Sequence, residues 1–236
     1  MEILSVSQIS PDQLILWQLG FVKITATMVY TWFIMALLLF ISWLATRRIS
    51  TDLHITRWQN LLEVIVSTIR EHIREISQDN PEHYLAFIGT LFLFIGLSNL
   101  LLIIPGYVAP TSSLTTTAAL AICVFFAVPL YGISKRGLLG YLKEYFQPTF
   151  IFFPFHVMGE FTRTLALAIR LFGNIMSHDK VIGILLAVTP LFFPIVMNAL
   201  GLLIGMVQAY IFAILAMVYI ASATQAHEQE TKKEKH

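Results

Sequence analysis

Runs of about twenty residues without a single charge decide what this chain can be. Residues 24–45, 84–104, 114–134 and 194–224 contain no Asp, Glu, Lys or Arg. About 20 apolar residues in helical geometry cross the hydrocarbon of a bilayer. In that medium a spanning segment must satisfy its own backbone hydrogen bonds, which leaves helices or closed barrels. The chain is 57% hydrophobic and 12% charged, with a mean hydropathy of +0.75. Soluble domains are nearer half apolar and a quarter charged. The expected class is an all-α integral membrane protein in one domain, with no internal repeat. A net charge of +1 gives no basic field for nucleic acid. The single cysteine, Cys123, has no disulfide partner and reads as a small buried hydrophobe.

Positive clusters set the expected orientation. Residues 1–23 precede the first span and Arg47 and Arg48 follow it, so the N-terminus is expected outside. The span exceeds the core of a cleavable signal. Residues 53–80 are expected to form a cytoplasmic interfacial helix, ended by Pro81. Trp58, Leu61, Leu62, Ile65, Ile69, Ile73 and Ile76 recur at three- and four-residue steps, and Glu63, Arg70, Glu71, Arg74 and Glu75 fill other positions. A soluble helix packed on a partner is the alternative. The second span, 84–104, closes at Pro105-Gly106. The uncharged loop "PGYVAPTSSLTTT" then leads into the third span, before Lys135, Arg136 and Lys143 on the inside.

The last third is expected to hold two long helices, at 156–189 and 194–224, with "TPLFFP" as the turn between them. At 1.5 Å per residue the first would measure about 51 Å, against about 30 Å of hydrocarbon. Such helices must tilt strongly or protrude. About five spans and one interfacial helix result. Residues 225–236 form a charged tail, expected to be cytoplasmic and frayed.

The first long helix carries an arginine at membrane depth. On a wheel of about 100° per residue, Arg170 shares a face with Gly159, Arg163, Ala166, Asn174 and Ser177. His178 lies about 80° away and Asp179 about 180° away. Arginine cannot shed its charge, and intramembrane charges are costly unless paired or functional. No acidic residue of this chain sits at the helical offset to pair with Arg170, which points to a partner on another chain. Asp179 and His178 offer a proton route along the back of the helix, although His178 alone also reads as an ordinary satisfied histidine. In the final helix, Gly201 and Gly205 form a small-xxx-small step that admits a neighbour. Gln208 lies on that same face, in expected reach of Arg170, and Asn198 could line an aqueous path.

The stretch "RLFGN" at 170–174 is similar to the signature of subunit a, the stator channel of rotary F-type ATP synthases. The resemblance extends over "SNLLLIIPG" at 98–106, "FTRTLALAIRLFGN" at 161–174 and "MVQAYIFAILAMVYIASA" at 206–223. It implies two offset half-channels facing a ring of c subunits, each with a membrane-embedded carboxylate. Arg170 would take the essential arginine position, with Asp179 as the acidic inlet residue, Gln208 as the glutamine near the arginine and Asn174 as the signature asparagine. His178 and Gly201 resemble an interchangeable pair of the family. Glu160 and His156 would serve a cytoplasmic outlet, against an ordinary interfacial role. The implied partners are the c ring, peripheral-stalk b subunits, the rest of the synthase and the lipid bilayer. The implied location is a bacterial inner membrane, with chloroplast-like relatives. Ser113 and Thr115 replace the polar and acidic loop residues common in the family, and Leu102 replaces an aspartate found in some members. The outer mouth is thus less acidic, and sodium stays open beside protons as the coupling ion.

Two rivals remain from the residues alone. A self-contained channel or secondary transporter would need a complete site in one chain, often with repeats or broken helices. A membrane scaffold would not need the Arg, Asp, His and Gln set. No nucleophile–base pair, "HExxH" or phosphate-cradling loop suggests an enzyme, and no cofactor or metal site is expected.

Overall fold

The structure is a computed structural model that describes residues 15–19, 22–47, 57–77, 80–104, 107–146, 153–188 and 193–233. Six helices dominate it. A short antiparallel ribbon comes first: β1 (Ile15–Leu19) pairs with β2 (Val22–Thr25). The ribbon takes Ile24 and Thr25, so α1 starts later than residue 24 and runs Ala26–Arg47. The prolines and loops at 105–106 and 189–192 fall outside the described residues, as do Arg48 and residues 1–14.

The amphipathic segment forms α2 (Arg57–Ser77). Its Glu63, Arg70, Glu71, Arg74 and Glu75 are exposed, while Ile73 is buried and Ile69 and Ile76 pack beside it. That face meets α3 (Glu82–Leu100) and the last helix, and the His72 ring lies edge-on to Tyr210 at 5.5 Å. Pro81 starts α3, its carbonyl accepting from the Tyr84 and Leu85 amides at 3.1 and 3.0 Å. Arg70 pairs with Glu82 across the elbow between α2 and α3.

A 3-10 turn, Leu101–Ile103, extends α3, and a second, Pro110–Ser112, leads into α4 (Leu114–Phe146). Pro129 lies inside α4, and membrane helices tolerate proline where neighbours and local adjustment re-satisfy the backbone. Beyond the expected end at 134, Gly137 breaks the helix with φ 75° and ψ 161°, a conformation side chains disfavour. Cys123 on α4 is exposed, not buried: the helix turns it away from its neighbours, where lipid would cover it.

The last two helices are α5 (Phe153–Val188, 36 residues) and α6 (Phe193–Lys233, 41 residues). Pro154 and Pro194 sit in their first turns, where a missing amide hydrogen costs nothing. Helix α6 thus begins at Phe193, one residue before the expected start at Pro194. The charged tail is helical to Lys233, against the frayed expectation. Glu, Gln and Lys favour helix, and extending an existing helix needs no new nucleus.

Helix α6 is the hub of the bundle and packs on α2, α3, α4 and α5. Its buried stripe contains Ala209, Phe212, Ala213, Ala216, Met217 and Ile220. Lipid tails are as apolar as leucine, so association rests on close van der Waals packing, and small alanines allow that approach. Among the described residues, four helices are long and apolar enough to cross a membrane: Ala26–Leu44, Glu82–Ile103, Leu114–Lys135 and Ile195–Thr224. Helix α5 has the length as well, but carries Glu160, Arg163, Arg170, Asp179 and Lys180.

Candidate functional site

Helix α5 has two faces of different character. Leu167, Ala168, Leu171 and Ile175 are buried against the bundle. Arg163, Ala166, Arg170, Gly173 and Ser177 are exposed along another stripe, and among the described residues nothing lies within 4 Å of where side chains at Gly159 or Gly173 would project. Among the described residues, no hydrogen bond or ion pair reaches Arg170. Its guanidinium thus stands on an open strip of small and polar residues, midway along a helix flanked by apolar neighbours.

Helices α5 and α6 run antiparallel, and their paired polar groups form a ladder beside that strip. Asn174 Nδ2 donates to Gln208 Oε1 at 3.2 Å. One turn further along α5, His178 Nε2 donates to the Met197 carbonyl at 3.0 Å. Its Nδ1 is 3.7 Å from Asp179 Oδ1, and the Asp179 side chain is 41% exposed. A protonated His178 would make this contact an ion pair. Asn174 and His178 both lie on the α6 side of Arg170, and Asp179 lies on the far shoulder. Asn198 is exposed on α6.

Gln208 is buried and meets Asn174, where the wheel had suggested Arg170. The other end of its amide, Nε2, is buried without an acceptor among the described residues. A wheel gives a residue's direction around its own helix, but not which neighbour stands there.

The glycine step also differs from expectation. A Cβ at Gly201 would coincide with the His178 ring of α5, and one at Gly205 would lie 2.9 Å from Asn99 Cβ of α3. The two glycines admit side chains from two different helices, not one closely pressed neighbour.

Toward the start of α5, Glu160 Oε1 is 3.4 Å from Arg163 Nη1, and the Arg163 guanidinium lies 5.5 Å from the centre of the Tyr219 ring. His156 is exposed one turn before Glu160. This group is separated from the His178–Asp179 pair by about four turns of α5, with Arg170 between them.

Asn99 was not singled out from the sequence. It is fully buried, donates from Nδ2 to the Gly205 carbonyl at 2.8 Å, and accepts at Oδ1 from Thr111 Oγ1 at 2.9 Å. The only signal in the sequence is an amide inside an otherwise apolar run. Ser112 and Ser113, at the turn that leads into α4, are also buried.

Fold and site together define a polytopic helical membrane protein whose 36-residue helix α5 carries an arginine that has no hydrogen-bond or ion-pair partner among the described residues. A family model described as ATP synthase A chain matches residues 28–221. The chain belongs to that family. It is 57% identical to "ATP synthase subunit a 2" of Acaryochloris marina (strain MBIC 11017), over 96% of this chain and 97% of the relative. It is 58% identical to "ATP synthase subunit a 1" of Chlorobaculum parvum (strain DSM 263 / NCIMB 8327), over 94% and 99%. It is 56% identical to "ATP synthase subunit a" of Albidiferax ferrireducens (strain ATCC BAA-621 / DSM 15236 / T118), over 97% and 100%.

Proposed function

We propose that the chain is the stator channel subunit of a rotary ATP synthase. In this reading it forms two offset half-channels through which ions reach and leave the carboxylates of a c ring. The observation that carries the reading is Arg170, exposed and without a partner among the described residues, on a strip of small and polar side chains. A fixed cation at membrane depth needs an anion, and the small side chains beside it let another helix approach. A ring of helices, each with one carboxylate, supplies such an anion in turn. The guanidinium favours the charged carboxylate and so promotes proton release as each site arrives. Its permanent charge also opposes direct ion flow between the half-channels, so the ring must turn to connect them.

Asp179 and His178 then belong to the external half-channel, and Asn174 and Gln208 to the stretch nearest the ring. Glu160 and His156 belong to the cytoplasmic outlet. The N-terminus is external and the C-terminus cytoplasmic, in a bacterial inner membrane. The c ring, peripheral-stalk b subunits and the remaining synthase subunits are the partners. The chain itself carries no catalytic step; it couples ion flow to rotation.

A sodium-coupled version of the same subunit is the second reading. It is favoured by an outer turn lined with hydroxyls, at Thr111, Ser112 and Ser113, where a proton-collecting carboxylate is missing. Measuring proton and sodium uptake separately, in vesicles holding the complete complex, decides between the two. ATP-driven uptake of neither ion would overturn both readings.

A further inference from the structure

We propose that Asn99 is a positioning residue that fixes α6 so that Gln208 meets Asn174. The inference rests on the reading of the chain as a stator channel. Asn99 ties together three elements that are distant in sequence. Its Nδ2 reaches the Gly205 carbonyl of α6 at 2.8 Å. Its Oδ1 takes the Thr111 hydroxyl of the outer turn at 2.9 Å. Asn99 and Thr111 are both fully buried. With both amide ends occupied, Asn99 is a brace and not an ion ligand. Gln208, with a buried and unpartnered Nε2, is the opposite case.

Gly205 completes the clasp. Asn99 Cβ and Cγ stand 2.9 and 3.2 Å from where a side chain at Gly205 would begin. Any larger residue there must push α3 and α6 apart. Gln208 lies three residues further along, on the same side of α6. The Asn174–Gln208 bond it makes is 3.2 Å long, at the far end of the usual range. A displacement at Gly205 that is carried along α6 would lengthen and weaken it.

The test uses the complete complex in vesicles. ATP-driven ion uptake is divided by the hydrolysis rate and by subunit a content, so that lost assembly does not register as lost coupling. Thr111→Val should lower coupled uptake by about threefold or more, whereas Thr111→Ser, which keeps the hydroxyl, should stay within about twofold of wild type. Asn99→Ala should lower it further. In a Gln208→Leu background, Asn99→Ala should add less than about twofold, because its effect passes through a contact already lost. A residue that only packed would give independent, multiplying losses. Multiplying losses in the double variant, or wild-type coupling in Thr111→Val, would overturn the proposal. If Asn99→Ala fails to assemble, the Thr111 pair decides alone. Arg170→Ala runs alongside as a control. Uptake in that variant would refute the stator reading itself, while failure of the clasp would appear with Arg170→Ala inactive.

Discussion

The imidazole of His178 fills the space that a side chain at Gly201 would need. One residue on α5 is therefore admitted by the absence of another on α6, and the Nε2 bond to Met197 holds the ring there. Replacing Gly201 with alanine should displace the ring and break that bond. Overpacking of this kind costs about 1–3 kcal/mol. The Gly201→Ala complex should melt earlier than wild type, and adding His178→Ala should recover part of the loss. Equal melting of wild type and Gly201→Ala would show that the ring has room to move.

Asp179 lies beside His178 and away from the Arg170 strip, so its expected role is in the external half-channel. Asp179→Ala should slow coupled transport strongly, yet leave more activity than loss of Arg170. Asp179→Glu keeps the carboxylate and should be largely tolerated. A cysteine placed at 179 should react with a thiol reagent supplied from outside. Reaction only from the cytoplasm, or ready crosslinking to the ring, would place the residue elsewhere.

Helices of 36 and 41 residues exceed what a bilayer needs. At 1.5 Å per residue they measure about 54 and 61 Å. Both should be strongly inclined to the membrane normal in a structure of the complex in lipid. Two upright spans of about 20 residues would contradict this.

Tyr107, in the loop between α3 and α4, gives a pH signature. Burial pushes its hydroxyl up to about 12 from an ordinary value of 10.0. Unfolding would free it to ionise at the lower value, so its contribution to stability is complete below pH 10 and is lost as pH rises toward 12. In an alkaline absorbance titration, the difference between wild type and Tyr107→Phe should show a phenolate forming near the upper value. A difference curve centred near pH 10 would mean the hydroxyl is solvated.

The helical membrane architecture was legible because uncharged runs of spanning length admit few other folds. Helix ends were harder. Ile24 and Thr25 look like the start of α1 until a strand pairs with them, and the charges of "HEQETKK" mask the helix preference of its Glu, Gln and Lys. Within the site, the wheel separated Arg170 from Asp179 because that depends on one helix alone. It misassigned Gln208 because the partner depends on how two helices meet. Gly201 and Gly205 share a face of α6, yet α5 and α3 wedge against successive turns of it. Asn99 escaped notice because its partners are 12 and 106 residues away, and a lone amide has no period.

The central claim is that Arg170 meets a moving anion on another chain. The direct measurement is ATP-driven ion uptake by vesicles holding the complete complex, with wild-type Arg170, Arg170→Lys or Arg170→Ala, at equal subunit a content. The alanine variant should show no coupled uptake. The lysine variant, which keeps the charge but lacks the planar guanidinium fork, should fall below about a tenth of wild type, a barrier increase of about 1.4 kcal/mol or more. Normal pumping by Arg170→Ala would contradict the account.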